Sequence, residues 1–104
     1  MTFAAPPRRS GWIERPDARI RYEVTGQGPA IVFAHGLGGC LFSWWQQVAH
    51  FATRYTCVTF SHRGFFPSTA PAGGPDPGQY AGDVAALVDE LKLGDIRMIC
   101  QSMG

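Results

Sequence analysis

Three short, largely apolar runs divide the chain, at Ala30 to Ala34, Cys57 to Phe60 and Asp95 to Cys100. Runs of this length with β-branched residues are typical of strands that are buried on both faces of a sheet. The segments between them repeat apolar residues at helical spacing. We therefore predict an α/β fold in which strands alternate with helices and ligands bind at the carboxyl ends of the strands.

The first helix is predicted from about Trp44 to Thr53. Ser43 is its expected N-cap, with Gln46 three residues on as the capping-box partner. The apolar residues that recur at helical spacing are Trp44, Val48 and Phe51.

The second helix is predicted to follow Asp76, a capping residue with Pro77 in the first helical position and Gln79 in the capping-box position, and to end at Gly94. Its apolar stripe comprises Tyr80, Val84, Leu87, Val88 and Leu91. Because that stripe points toward the sheet, the acidic residues of the helix are expected to be solvated. They are Asp83, Asp89 and Glu90.

The first twelve residues contain two prolines and no periodicity, so residues 1–12 are predicted to be a flexible N-terminal arm. Structure is expected over residues 13–104, within a single domain. It begins with two strands, Trp12 to Ile13 and Arg19 to Thr25, turned around Pro16 to Ala18.

Composition narrows the class of protein. The 104 residues are 45% hydrophobic and 16% charged with a net charge of +1, which is typical of a globular domain without a polyanion-binding surface. The apolar runs fall short of the about 20 residues that a bilayer span needs, and no signal peptide is recognised, so a soluble, cytoplasmic protein is expected. The three cysteines suggest neither disulfides nor zinc, and no cofactor is expected.

The first candidate for chemistry is Ser102, within Gln101-Ser102-Met103-Gly104 directly after a predicted strand. A sharp strand-to-helix turn among small residues exposes a serine hydroxyl in the nucleophile elbow, usually written GxSxG. Here the pattern is CxSxG, with Cys100 in place of the first glycine. This match is weak evidence when it stands alone.

The second candidate is the glycine-rich loop His35-Gly36-Leu37-Gly38-Gly39, which follows the first central strand. Acyl transfer requires backbone N–H groups aimed at the developing oxyanion, and such a loop beside the elbow can supply one. We predict that the N–H groups of Leu37 and Met103 form this pair. The alternative is an ordinary strand-to-helix loop.

Taken in order, these motifs resemble the N-terminal part of the α/β-hydrolase family. The matching segments are IVFAHGLGG, a Trp-bearing helix, CVTFSHRGFFPS, QYAGDVAALVDELKL and RMICQSMG, over Ile13 to Gly104. The likeness is strongest to small serine esterases, lactonases and cofactor-free haloperoxidases. It implies a mostly parallel sheet with flanking helices, truncated just after the elbow.

The resemblance also implies roles for single residues. Ser102 matches the nucleophile, while Met103 and Leu37 match the oxyanion donors. His35 and Gly36 match residues that support the oxyanion loop.

Arg63 and Gly64 match a loop written DxRGxGxS, in which the arginine braces loops near the site. Ser61 stands where this pattern has Asp, and Phe66 where it has its second glycine.

In this family the acid and the histidine of the triad follow the serine in the chain. The chain is therefore expected to be an N-terminal fragment of a serine hydrolase of a small ester or lactone, inactive alone. Dehalogenases and epoxide hydrolases of the same fold carry Asp at the elbow, so Ser102 argues against both. The alternative is a non-catalytic remnant, or a half-domain that pairs with a complementing C-terminal chain.

Other residues have more ordinary expected roles. His35 is expected to hold its loop rather than act as base, and His50 and His62 to lie on a helix face and in a loop. Trp44 and Trp45 are expected to pack in the core. Phe65 and Phe66, on a loop flanked by proline, are candidates for a pocket rim or for contacts with the missing half.

Overall fold

A computed structural model describes residues 6–70, 73–74 and 76–102. The strands are β1 (Arg8–Glu14), β2 (Arg19–Thr25), β3 (Ala30–Ala34), β4 (Thr56–Phe60) and β5 (Ile96–Cys100). The α-helices are α1 (Trp45–Phe51) and α2 (Tyr80–Glu90), preceded by 3-10 turns at Leu41–Trp44 and Pro77–Gln79. The predicted alternation of central strands and helices is confirmed.

The five strands form one sheet in the order β1-β2-β4-β3-β5. Strand β3 runs parallel to both β4 and β5, as predicted, whereas β1, β2 and β4 pair antiparallel, so the sheet is mixed. Ala34 pairs with Phe60 on one side and with Cys100 on the other. The carboxyl ends of the three central strands therefore meet at one edge.

Each face of the sheet packs against one helix because side chains alternate along a strand. Val32 of β3 belongs to the core that includes Leu87 of α2, whereas Phe33 belongs to the core that includes Trp44. All five residues of β3 are buried, as predicted for a central strand. The same prediction is wrong for β5, which is the last strand of the described sheet and is largely exposed.

Strand β1 begins at Arg8, inside the segment predicted to be a flexible arm. That prediction is wrong for residues 8–12, while residues 1–5 lie outside the described part of the chain. Arg8 pairs with Thr25 in the ladder, and its Nη2 donates to both carboxylate oxygens of Glu23 at 3.1 Å. An edge strand with a polar face lacks the apolar alternation on which the prediction relied.

The first helical segment starts differently from the prediction. A 3-10 turn precedes α1, and Ser43 lies within that turn, where its Oγ accepts a hydrogen bond from Cys40 N at 3.1 Å. The N-cap of α1 is Trp44, which makes no side-chain capping bond, so the predicted Ser43–Gln46 capping box is wrong. Short polar side chains bond readily to nearby backbone groups, which favours this local alternative.

Asp76 caps the second helical segment as predicted, since its Oδ1 accepts from Gly78 N at 2.9 Å. The helix ends at Glu90 rather than at Gly94. Lys92 adopts a left-handed conformation with φ 53°, and the N–H groups of Lys92 and Leu93 bond back to Asp89 O and Val88 O, both at 3.1 Å. These two hydrogen bonds close the end of the helix without a glycine.

Neither described helix is long and apolar enough to cross a membrane. Within the same part of the chain, no group of three or more His, Cys, Asp or Glu side chains is arranged to hold a metal ion.

The contribution of α2 to the core can be measured with two substitutions of the same type. Leu87 is 0% exposed and Leu37 is 79% exposed. Leu87→Ala should lower the free energy of unfolding by about 2–5 kcal/mol because it leaves a cavity. Leu37→Ala should change that free energy by less than about 0.5 kcal/mol. Urea denaturation followed by circular dichroism compares the two, and equal losses would contradict the packing of α2 on the sheet.

Candidate active site

The chain turns sharply where β5 ends. Gln101 N donates to Ala34 O at 3.1 Å, which continues the pairing with β3 by one residue. Ser102 then adopts φ 55°, a left-handed conformation that costs of order 1–3 kcal/mol for a residue with a Cβ. A left-handed serine in the turn after a strand is the conformation expected of the predicted nucleophile elbow. Met103 and Gly104 lie outside the described residues.

The glycine-rich loop lies against this turn. A Cβ on Gly36 would come within 3.1 Å of both Ser102 Cβ and Gln101 O, so glycine permits the close approach of the two segments. The predicted adjacency of loop and elbow is thereby confirmed. Gly39 N donates to Gly36 O at 3.0 Å and closes the loop, which leaves Leu37 exposed at its apex. Convergence of the Leu37 and Met103 amides stays a prediction.

His35 is fully buried at the start of that loop, and both of its ring nitrogens are engaged. Nε2 accepts a hydrogen bond from His62 N at 3.0 Å, so Nδ1 carries the proton and donates to Gly36 O at 2.8 Å. Burial lowers the pKa of His35, which keeps the ring neutral. The imidazole holds the loop and has no nitrogen left to act as base.

Arg63 lies buried after β4 in a network of charged groups. Its Nε and Nη2 donate to the two carboxylate oxygens of Asp83 on α2, each at 2.7 Å, and its Nη1 donates to Asp17 Oδ2 at 2.8 Å. Arg15 Nε adds a fourth bond, to Asp83 Oδ1 at 3.0 Å. These bonds raise the pKa of Arg63 and lower that of Asp17. Arg63 therefore joins the β1–β2 turn, the loop after β4 and α2.

The prediction that Asp83 is solvated is wrong, since Asp83 is buried with Arg63, whereas Asp89 and Glu90 are exposed as expected. Asp83 follows Tyr80 by three residues and precedes Leu87 by four, which places it on the buried face of α2. A carboxylate within an apolar stripe was the available signal of a buried cationic partner.

His62 lies in the loop after β4, as predicted, and is buried there, with its ring stacked on Tyr80 at a centroid distance of 4.3 Å. Neither ring nitrogen has a hydrogen-bond partner among the described residues. Burial lowers the pKa of His62 to about 4. Nothing in the local sequence distinguishes this histidine from a solvated one.

The aromatic residues divide between core and surface. Trp44 packs on Phe33 with ring centroids 5.1 Å apart, as predicted, but Trp45 is 68% exposed, so its predicted burial is wrong. Phe65 packs edge-on against His35 at 5.1 Å, while Phe66 is 75% exposed. The loop after β4 therefore presents an apolar side chain on the same edge of the sheet as Leu37.

All three cysteines are free in this structure. Cys57 is buried in β4, and burial raises the pKa of its thiol to about 11, which keeps it protonated and unreactive.

A sequence profile of the α/β hydrolase fold matches residues 29–104, and the chain belongs to that family. It is 34% identical over 90 residues to 3-oxoadipate enol-lactonase 2 of Acinetobacter baylyi, a match that covers 85% of this chain and 34% of the relative. Epoxide hydrolase 1 of Caenorhabditis elegans is 31% identical over 97 residues, covering 91% of this chain and 22% of the relative.

Among solved structures, an esterase from Exiguobacterium antarcticum superposes with a TM-score of 0.85 at 28% identity. That match covers 92% of this chain and 37% of the esterase. The chain thus spans about a third of the length of the lactonase and of the esterase.

The buried ion pair predicts that Asp83 and Asp89, both on α2, contribute differently to the free energy of unfolding. Asp83→Asn leaves Arg63 buried with only Asp17 as a charged partner, and should lower the free energy of unfolding by about 3 kcal/mol. Asp89→Asn, on the exposed face of α2, is the matched control and should change it by less than about 0.5 kcal/mol. Chemical denaturation at neutral pH measures both, and a neutral Asp83→Asn would contradict the network.

Because the buried ring of His62 has no hydrogen-bond partner among the described residues, we expect the protein to lose stability in acid. Its pKa lies near 4 in the folded protein against 6.5 ordinarily, so the unfolded chain binds more protons between these values. Stability should be fully present above pH 6.5 and fall as the pH drops toward 4. His62→Phe should reduce the difference between urea midpoints at pH 7 and pH 4.5, although His35 still contributes. His50→Gln, at an exposed position, should behave as the wild type; a full acid loss in His62→Phe would refute the assignment.

Proposed function

We propose that this chain is the N-terminal part of a serine hydrolase that cleaves a small ester or lactone through an acyl-enzyme. The observation that carries the proposal is the geometry of Ser102, which has φ 55° directly after β5 and touches the glycine-rich loop at Gly36. In the proposed reaction, Ser102 Oγ attacks the carbonyl carbon and the carbonyl electrons move to oxygen. The amides of Leu37 and Met103 are assigned as donors to that oxyanion.

A serine nucleophile requires a base to accept its proton. Both ring nitrogens of His35 are engaged in hydrogen bonds. The ring of His62 is stacked on Tyr80, and its nitrogens are buried. We therefore assign the base and its orienting acid to a part of the enzyme outside residues 1–104. The greater length of the relatives is consistent with this assignment.

The names of the relatives favour an ester or a lactone without deciding between them. An enol-lactonase and an esterase share the fold, and so does an epoxide hydrolase. The family resemblance associates epoxide opening with Asp at the elbow, whereas this chain has Ser102. Acyl transfer is the chemistry that a serine supports at this position.

A half-domain that pairs with a second chain is the alternative. It is favoured by β5, which among the described residues pairs with β3 on one side only and carries the exposed side chains of Met98 and Ile99. Unpaired strand edges with apolar residues invite a further strand.

The isolated chain should show no turnover of p-nitrophenyl acetate above buffer, because the ring nitrogens of His35 and His62 are engaged or buried and His50 lies on the exposed surface of α1. Initial rates at pH 7.5 over a range of protein concentrations test this. Turnover that disappears in Ser102→Ala would show that a histidine within the chain acts as base.

A fusion tests the proposal itself. Residues 1–104 replace the structurally matching segment of the Exiguobacterium antarcticum esterase, whose remaining chain supplies the rest of the sheet. The fusion should hydrolyse p-nitrophenyl acetate, and Ser102→Ala should lower kcat by about 1,000-fold or more. Ser10→Ala, on β1 far along the chain from the elbow, is the control and should keep the rate. A folded fusion whose activity survives Ser102→Ala would overturn the proposed function.

A further inference from the structure

Ser61 lies fully buried directly after β4, and its hydroxyl joins two loops. Ser61 Oγ accepts a hydrogen bond from Leu41 N and donates one to Phe66 O, both at 2.9 Å. Its backbone is bonded as well, since Ser61 N donates to Arg21 O at 3.1 Å and Ser61 O accepts from Ser68 Oγ at 2.7 Å. The hydroxyl is therefore held in place from the sheet.

The glycine-rich loop is fixed at both ends from two consecutive residues after β4. At its start, His62 N donates to the ring of His35. At its end, the Ser61 hydroxyl accepts from Leu41, the first residue of the following 3-10 turn. The exposed Leu37 lies between these two anchors, next to the residue that touches Ser102.

We propose that Ser61 is a positioning residue whose hydroxyl sets the place of the loop that presents the Leu37 amide to Ser102. The inference rests on the proposed function only in naming that loop as the oxyanion loop. The same hydroxyl donates to Phe66 O, so one side chain joins the glycine-rich loop to the loop after β4.

The choice of serine over aspartate follows from hydrogen-bond chemistry. A carboxylate at position 61 could accept a hydrogen bond from Leu41 N, but it has no proton to donate to Phe66 O. Its negative charge would also repel the partial negative charge on that carbonyl oxygen. A hydroxyl accepts and donates at once. Serine at this position, in place of the aspartate of the family pattern, therefore links the two loops directly through one hydroxyl.

Amide hydrogen exchange on the 104-residue chain tests the inference without any need for activity. In the wild type, the Leu41 amide should exchange at least about tenfold more slowly than an exposed amide because it is bonded to Ser61. Rates are normalised to the Val32 amide in the buried strand β3, which reports global opening. A Leu41 amide that exchanges freely in the wild type would overturn the inference.

Two variants of Ser61 with side chains of equal shape separate the effect of the hydroxyl from the effect of packing. Ser61→Thr keeps the hydroxyl and should keep the normalised Leu41 rate within about twofold, whereas Ser61→Val removes it and should raise that rate about tenfold or more. Ser61→Val should also shift the amide resonances of Leu37 to Gly39. Thr56→Val is the control, because Thr56 Oγ1 likewise donates to a backbone carbonyl, Gly28 O at 2.8 Å, but lies at the opposite end of β4 from Ser61.

The active fusion supplies a second readout. Ser61→Val should lower kcat about tenfold with KM within about twofold, because the displaced donor acts in the transition state. Ser61→Thr and the control Thr56→Val should keep kcat. Equal kcat in the Thr and Val variants of Ser61 would overturn the inference. If the fusion has no activity but the exchange rates behave as expected, the proposed function fails and the positioning role of Ser61 stands.

Discussion

The buried ion pair between Arg63 and Asp83 is the interaction on which the candidate site depends. An unpaired guanidinium inside a protein is costly, so Arg63 can be buried only when α2 and the β1–β2 turn deliver their carboxylates to it. Ser61 and His62 precede Arg63 directly and bond the two ends of the glycine-rich loop. The charge pair thereby fixes the stretch of backbone from which that loop is held, and a local requirement of charge burial becomes a requirement on the site.

The parallel register of the three central strands explains why the site forms at one edge. Ala34, Phe60 and Cys100 stand level with one another in the sheet, so the loops that follow β3, β4 and β5 leave at the same height. Residues far apart in the chain are then neighbours without any long connection. Gly36 removes the last obstacle, because any side chain there would meet the turn at Ser102.

Local patterns predicted the parts of the fold that local forces decide. Strand β3 was predictable because its apolar run needs burial on both faces. The cap at Asp76 was predictable because its carboxylate accepts a hydrogen bond from an amide only two residues further along the chain. Strand β1 was missed in part because its stabilisation comes from pairing with β2, which the polar sequence of an edge strand does not reveal. The burial of Asp83 and His62 depends on partners some twenty residues away, Arg63 and Tyr80, and only the position of Asp83 within an apolar stripe hinted at it.

The elbow strain must be supported by contacts, since a left-handed serine relaxes unless its surroundings hold it. Among the described residues, that support comes from one side: Gln101 bonds to Ala34, and Gly36 packs against Ser102. Both contacts belong to β3 and the loop that leaves it. Ser102, the proposed nucleophile, and the glycine-rich loop are thus held by the same strand, so a shift of β3 carries both together and preserves their relative geometry.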